Sequence, residues 1–183
     1  MGQYYRAITK DREGNITTYN RRVNGAYTFA KLMEHSWWNN PFVCTMTKKL
    51  YHNPMQVAWV GDYSDDESAN GETNLYAFAW SAEADEKAVG VERDELSLDG
   101  KYLVNHTKKL YLDCDAYSNR SKDKRGDIIH PLPLLTAIGN GHGGGDYYGK
   151  NRKDVGAWCY DIISVEDAPP EGYEPISYTF IEN

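Results

Sequence analysis

Alternating polar and apolar residues predict a β-hairpin at the start of the chain. In QYYRAITKDREGNITTYNRRV, residues 3–23, two alternating strands flank an EGN turn at residues 13–15. KYLVNHTKKLYLD, residues 101–113, has the same pattern and predicts a second hairpin that turns at residues 106–108. MQVAWVGDY, residues 55–63, predicts a further strand between the two hairpins.

Two helices are predicted between the first hairpin and the strand that follows it. Apolar residues recur at helical spacing in AYTFAKLMEHS, residues 26–36, and again in NPFVCTMTKKLYHNP, residues 40–54. In the second stretch, Asn40 is a typical N-cap and Pro41 suits the first helical position. Pro54 marks where this helix must have ended.

The remaining stretches are mostly extended or irregular in this interpretation. TNLYAFAWSAEADEKAV, residues 73–89, favours a strand through Trp80 and then an acidic helical or irregular stretch. AYSNRSKDKRGD, residues 116–127, is typical of a basic, polar loop. Two prolines in IIHPLPLLTA, residues 128–137, argue against a central strand or a helix interior. VGAWCYDIISV and EPISYTFIE, residues 155–165 and 174–182, are predicted to be closing strands.

Taken together, these elements predict an α+β fold with a mostly antiparallel sheet and two early helices. The chain has 183 residues, which suits one domain over residues 1–183 with a core of its own. An acidic segment at residues 62–99 belongs to that domain.

Charge is distributed unevenly along the chain. The net charge is −7, yet residues 62–99 contain twelve acidic and two basic residues. One interpretation is a solvated segment that keeps the protein soluble. The other is a face that binds a basic partner surface, with Asp62, Asp65, Asp66 and Glu67 as its candidate contact residues.

Aromatic residues make up 13% of the chain and supply further candidate contacts. Trp37 and Trp38 lie between the two predicted helices, where one would enter the core and the other would anchor a partner. Basic clusters such as residues 120–125 allow phosphate contacts, but no interleaving of aromatic and basic residues indicates a nucleic-acid module.

Several functional classes are disfavoured by the sequence. No apolar run reaches the roughly 18 residues of a membrane span, and the first residues lack a signal-peptide core, so we expect a cytoplasmic protein. Cys44, Cys114 and Cys159 are far apart, and we expect them to be reduced. No spacing of ligands indicates a metal site, and no motif indicates a cofactor. The sequence thus favours a binding protein over an enzyme and leaves the oligomeric state open.

Six of the eleven residues at 139–149 are glycine, in the sequence GNGHGGGDYYG. Gly139, Gly141 and Gly144 match the dinucleotide pattern G-x-G-x-x-G, but no amphipathic helix follows. The same stretch ends in a partial P-loop pattern with Lys150, where Asn151 replaces the hydroxyl residue that would bind Mg²⁺.

Two interpretations of this glycine-rich loop remain. In the first, its amides form a nest for a nucleotide or another phosphate compound, and the candidate ligand-binding residues are Gly141, His142, Gly143, Gly144, Asp146 and Lys150. In the second, the loop packs against another part of the backbone. Its glycines then avoid Cβ clashes and accept positive φ, and Asp146 binds loop N–H groups as an internal anion.

Seven stretches in order resemble a family of uncharacterised proteins of bacteria, their phages and mobile elements. They are MGQYY, LMEHSWW, WVGDYSD, YLVNHTKKLYLD, HPLPLLTAIGNGHGGGDYYG, VGAWCYDIISVED and EGYEPISYTF. The resemblance covers nearly the whole chain and implies no catalytic residues. Small acidic proteins with this distribution are often counter-defence factors, such as anti-CRISPR proteins that act on Cas9-type nucleases.

Three functional hypotheses follow. The first is a counter-defence protein that inhibits a host nuclease, such as a Cas9-type effector, by direct binding in the bacterial cytoplasm. The second is a ligand-binding or enzymatic domain that handles a nucleotide or phosphate compound at residues 139–150. The third is a structural protein without a partner. We prefer the first because of the acidic segment, the many Tyr and Trp residues and the lack of a catalytic motif.

Overall fold

The computed structural model describes residues 1–23, 26–64, 85–89, 95–122 and 125–180. The strands in this part of the chain are β1 (Tyr5–Lys10), β2 (Ile16–Val23), β3 (Ala26–Thr28), β4 (Met55–Gly61), β5 (Asp85–Val89), β6 (Tyr102–Asn105), β7 (Leu110–Asp113), β8 (Ala137–Ile138), β9 (Ile162–Glu166) and β10 (Glu174–Ile176). The helices are α1 (Leu32–His35), α2 (Pro41–Leu50), α3 (Cys114–Arg120) and α4 (Pro131–Leu135), with a 3₁₀ turn at Arg152–Asp154.

All ten strands belong to one sheet. Its order is β10-β7-β6-β9-β4-β1-β2-β3, with β5 paired to β2 and β8 paired to β4. Both predicted hairpins are present, as β1–β2 and β6–β7. Only β7–β10, β2–β5 and β4–β8 are parallel among the described pairings. The predicted α+β class with a mostly antiparallel sheet is therefore confirmed.

One edge of β4 is shared by two strands, and this arrangement positions the surfaces described below. β9 pairs with the beginning of β4 at Met55 and Gln56, whereas β8 pairs with its end at Trp59 and Val60. The glycine-rich loop follows β8 directly, so it begins beside the end of β4. Because β1 is antiparallel to β4, this end also lies beside the start of β1, where Tyr5 pairs with Gly61.

The helix α2 forms as its sequence predicts. The Asn40 side chain accepts a hydrogen bond from the backbone N–H of Phe42 at 3.0 Å, and Pro41 occupies the first turn. Its apolar stripe enters the main core together with Trp59 and Leu103 of the sheet. A smaller cluster on the opposite face of the sheet contains Ile8, Ala58 and Val60.

Three predictions for residues 26–127 need correction. Residues 85–89, predicted to be part of an acidic helical or irregular stretch, pair with β2 as strand β5. The first early helix, α1, has only four residues, because residues 26–28 pair with β2 as strand β3. Residues 114–120, mostly within the predicted basic loop, form helix α3. The Asp113 side chain caps this helix by accepting the Ala116 N–H at 2.9 Å, and the buried Tyr117 anchors it in the core.

The predictions for both closing strands also need correction. Of the strand expected at 174–182, only Glu174–Ile176 is a strand in the described part of the chain. Only Ile162–Glu166 of the expected strand at 155–165 is extended, because Gly156 and Tyr160 adopt positive φ angles of 80° and 65°. The proline-containing stretch forms the short helix α4, with both prolines in its first turn, so the expectation that neither lies in a helix interior holds.

Candidate functional site

The glycine-rich loop packs against the first residues of the chain. Gly144 forms a parallel bridge with Gly2, and its carbonyl accepts the Gln3 N–H at 3.0 Å. The Gly144 N–H in turn donates to the carbonyl of Met1 at 3.0 Å. The loop is thus ordered by backbone contacts with the amino terminus.

The Asp146 side chain lies inside the loop and binds its backbone. Its Oδ2 accepts the N–H groups of Gly141 at 2.7 Å and Gly143 at 3.0 Å, and its Oδ1 accepts the Tyr5 hydroxyl at 3.0 Å. The carboxylate is buried. Burial and the charge of Asp146 raise the pKa of Tyr5. The interpretation of Asp146 as an internal anion is confirmed, and two of the amides that a phosphate nest would need are occupied.

Glycine is required at two loop positions by their surroundings. A Cβ atom at Gly143 would lie 2.5 Å from the Gln3 Cβ and 2.8 Å from the Gln3 backbone nitrogen. Gly145 has a φ of 90°, and a Cβ atom there would lie 2.3 Å from the Lys31 side chain. The close approach of two chain segments, which the packed-loop interpretation assumed, is therefore present.

The candidate ligand-binding residues do not share one environment. Gly141, His142, Gly144 and Lys150 are exposed, whereas Gly143 and Asp146 are buried. The exposed members lie on the outside of a loop whose interior is filled by Asp146.

Three exposed aromatic side chains lie around the amino-terminal residues. Phe29 is 44% exposed and contacts Tyr4 edge to face, with 6.2 Å between ring centroids. The Arg6 guanidinium lies 5.6 Å from the centroid of the Phe29 ring. Tyr148 is 59% exposed, and its hydroxyl donates to the Gly143 carbonyl at 2.7 Å.

Asp62 lies beside one of these aromatic residues, Tyr4. Its Oδ1 accepts the Tyr4 N–H at 3.0 Å, and its own N–H donates to the Tyr4 carbonyl at 2.9 Å. Burial and, more weakly, the negative charge of Asp146 raise the pKa of Asp62. We call Tyr4, Phe29, Asp62 and Tyr148 the amino-terminal surface. It joins the start of the acidic segment to the glycine-rich loop.

The other candidate contact residues are distributed differently. Trp38 is buried, stacks on Tyr117 and donates its Nε1–H to Asp99 at 3.1 Å, so it belongs to the core. Trp37 is half-buried and donates its Nε1–H to the Met33 carbonyl at 2.9 Å. The two indoles line a cleft of about 380 Å³. Asp65, Asp66 and Glu67, like the strand predicted at 73–80, lie outside the described residues.

A partly buried polar network around β9 has no counterpart in the sequence analysis. The Ser164 hydroxyl lies 2.7 Å from Nε2 of His106 and 2.6 Å from Oε1 of Glu166. The other ring nitrogen of His106 lies 3.1 Å from the Tyr173 hydroxyl. Burial lowers the pKa of His106. His106 is 58 residues from Ser164 in the sequence, and the four residues carry no motif, so only the sheet pairing reveals the network.

The network continues onto the surface. His52 lies 2.6 Å from Glu166 and 3.1 Å from Asp167 through its two ring nitrogens, and the hydrogen bond with Glu166 raises the pKa of His52. Hydrogen bonds from the Tyr51 hydroxyl and the Lys101 ammonium hold the pKa of Asp167 at about 2. These exposed contacts link the end of α2 to β9 and the residues after it.

Comparison with known proteins adds no assignment. No protein-family model, no curated protein and no solved structure matches the chain. Among the described residues, no group of three His, Cys, Asp or Glu side chains is placed to hold a metal ion. No helix in the same part of the chain is long and apolar enough to cross a membrane.

Proposed function

We propose that this protein is a phage or mobile-element counter-defence protein that inhibits a host nuclease, with Cas9-type effectors as the model target, by direct contact in the bacterial cytoplasm. The observation that carries the proposal is the amino-terminal surface. There, three exposed aromatic side chains lie around the first residues of the chain. One of them, Tyr4, contacts Asp62, the first residue of a segment with net charge −10.

The chemistry of this surface suits a basic protein partner. Exposed aromatic residues are the side chains that most often dominate binding energy at protein interfaces. Acidic residues beside them attract a positively charged surface and raise the association rate. A nuclease that holds nucleic acid in a basic groove offers such a surface.

The glycine-rich loop supports this proposal over the phosphate-ligand alternative. Asp146 already accepts hydrogen bonds from Gly141 and Gly143, so a phosphate would have to displace a buried carboxylate. It would also bring negative charge next to that carboxylate, which is unfavourable. The loop instead supports the amino-terminal residues that carry Tyr4.

Inhibition of DNA cleavage by a purified Cas9-type ribonucleoprotein tests the proposal. The unmodified protein should inhibit cleavage and bind the ribonucleoprotein in a surface-immobilised assay. Phe29→Ala and Tyr148→Ala should each weaken binding about tenfold, which corresponds to about 1.4 kcal/mol for an aromatic anchor. Asp62→Asn should lower the association rate and its salt dependence.

Glu171→Gln is the matched control, because Glu171 is an exposed acid in another part of the chain. It should change neither inhibition nor association. Binding that is unaffected by the Phe29, Tyr148 and Asp62 variants would contradict the assignment of this surface. Absence of inhibition across a panel of Cas9-type nucleases would contradict the choice of target.

A further inference from the structure

A groove lies at the opposite end of β1 from the amino-terminal surface. Lys10 pairs with Gln56 on β4, and Gln56 pairs with Ile162 on β9. The His106 N–H donates to the Ile162 carbonyl at 2.8 Å, so the end of β6 adjoins this row. Residues paired directly across a sheet project to the same face. Together with the β1–β2 turn, this row lines an open groove of about 640 Å³, a volume within the usual range for small-molecule sites.

Positive charge is concentrated at one wall of the groove. Lys10 and Arg12 both line it, and neither forms a salt bridge within the described part of the chain. The acid between them, Asp11, is engaged in its own turn: its two oxygens accept the N–H and the side-chain Nδ2–H of Asn15, both at 2.8 Å. The two cations are therefore available to an anion.

The floor of the groove is apolar and carries an aromatic ring. Ile162 is 40% exposed although it lies in a strand, and Met55 lines the groove beside it. The His106 ring also lines the groove, with its nitrogens engaged by Ser164 and Tyr173. Because both nitrogens are engaged, this imidazole offers an incoming ligand its face and carbon edge. The exposed Ile162 side chain and this ring suit a planar, partly apolar group of a ligand.

Gln56 adds a directional contact at the centre of the row. Its Nε2–H donates to the Tyr160 carbonyl at 3.2 Å, which fixes the orientation of the amide. The amide oxygen remains as an acceptor for an N–H group of a ligand.

We propose that this groove binds a nucleoside monophosphate, with the phosphate held by Lys10 and Arg12 and the base packed over Ile162 and His106. The two cations select the phosphate, and the apolar floor and the ring select the base. This site is about 17 Å from the amino-terminal surface along β1, from the rise of a strand. It is also separate from the glycine-rich loop.

Calorimetric titration with AMP, adenosine and inorganic phosphate tests the proposal. AMP should bind more tightly than either fragment, because only AMP engages both parts of the groove. Arg12→Gln and Lys10→Gln should each weaken AMP binding about tenfold, the usual loss for one charge-assisted contact, and leave adenosine unchanged. Ile162→Asp should weaken both AMP and adenosine.

Lys150→Ala is the matched control, because it removes an exposed cation from the glycine-rich loop. It should leave AMP binding unchanged. AMP binding that is lost in Lys150→Ala, or that is insensitive to Arg12→Gln, would overturn the assignment to this groove. Undetectable AMP binding at millimolar concentration would overturn the proposal as a whole. Nuclease inhibition should be unaffected by Arg12→Gln, so the two proposals fail independently.

Discussion

The buried histidine at the start of α4 should make the stability of this protein depend on pH. Nδ1 of His130 accepts the Leu132 N–H at 3.3 Å and caps the helix. Because Nδ1 is an acceptor, the proton resides on Nε2, which lies 3.2 Å from the Thr47 hydroxyl and donates to it. The Thr47 hydroxyl in turn donates a hydrogen bond to the Val43 carbonyl at 3.0 Å. Both nitrogens of the neutral imidazole therefore form hydrogen bonds. A second proton, on Nδ1, would instead point at another donor, the Leu132 N–H.

Burial lowers the pKa of His130 to about 3, whereas the unfolded chain has an ordinary value of about 6.5. The unfolded state therefore binds more protons over this range, so stability is complete above pH 6.5 and falls as the pH drops towards 3. Between pH 7 and pH 5 this one group should lower the free energy of unfolding by about 2 kcal/mol.

Urea denaturation of wild type and His130→Asn at several pH values measures this contribution. Asn retains an acceptor at the N-cap but does not titrate. Other histidines, including His106 with its lowered pKa, are present in both proteins and cancel in the difference. The stability difference between wild type and variant should shrink by about 2 kcal/mol from pH 7 to pH 5. A difference that stays constant would refute the assignment of a buried neutral imidazole.

Two further predictions concern the glycine-rich loop. Gly143→Ala should lower the free energy of unfolding by about 1–3 kcal/mol, because the new Cβ would overlap Gln3. Gly144→Ala should change it by less than about 0.5 kcal/mol, because no atom would lie closer than 3.5 Å to the new Cβ. Equal losses in these two variants, measured by urea denaturation, would contradict the packing argument. Asp146→Asn should cost about 2–3 kcal/mol through loss of charge-assisted hydrogen bonds to the loop; a loss below about 0.5 kcal/mol in the same assay would show that the carboxylate does not hold the loop.

Local sequence signals predicted the structure correctly where it depends on contacts between residues that are close in the sequence. The alternation at residues 3–23 and 101–113 predicted both hairpins, since a two-stranded pairing needs only its strands and its turn. Asn40 and Pro41 marked the start of α2 for a similar reason: a cap acts within one helical turn. The internal role of Asp146 was also a local inference, because its partners Gly141 and Gly143 are at most five residues away.

Composition misled the prediction where burial decided the structure. Residues 116–127 contain four basic residues, and this composition predicts a loop. The first part nevertheless folds as α3, because the Asp113 cap and the buried side chain of Tyr117 outweigh the polar character of the stretch. The need for glycine at position 143 could not be predicted from the sequence either. It comes from close contact with Gln3, a residue 140 positions earlier.

Neither proposed site could be predicted as a unit, because each is assembled by sheet pairing. Phe29 reaches Tyr4 because Tyr5 forms a bridge with Ala30, and the loop that carries Tyr148 reaches the same residues because Gly2 forms a bridge with Gly144. The groove likewise depends on the register that aligns Lys10 with Ile162 through β4. A single sequence contains no signal for such register between distant strands, whereas the residue types at each position were visible from the start.

The direction of the hydrogen bonds around Ser164 decides how the serine, histidine and glutamate on β9 should be interpreted. In a serine hydrolase, the serine donates its proton to the histidine, and the acid binds the other histidine nitrogen. Here the Ser164 hydroxyl donates to Glu166 at 2.6 Å, so Nε2 of His106 must donate to the Ser164 oxygen and Nδ1 must accept from Tyr173. The hydroxyl is also completely buried. Histidine therefore does not act as a base towards this serine. The three residues join β6 to β9 at the rim of the groove and hold the His106 ring in the position that the proposed nucleotide site needs.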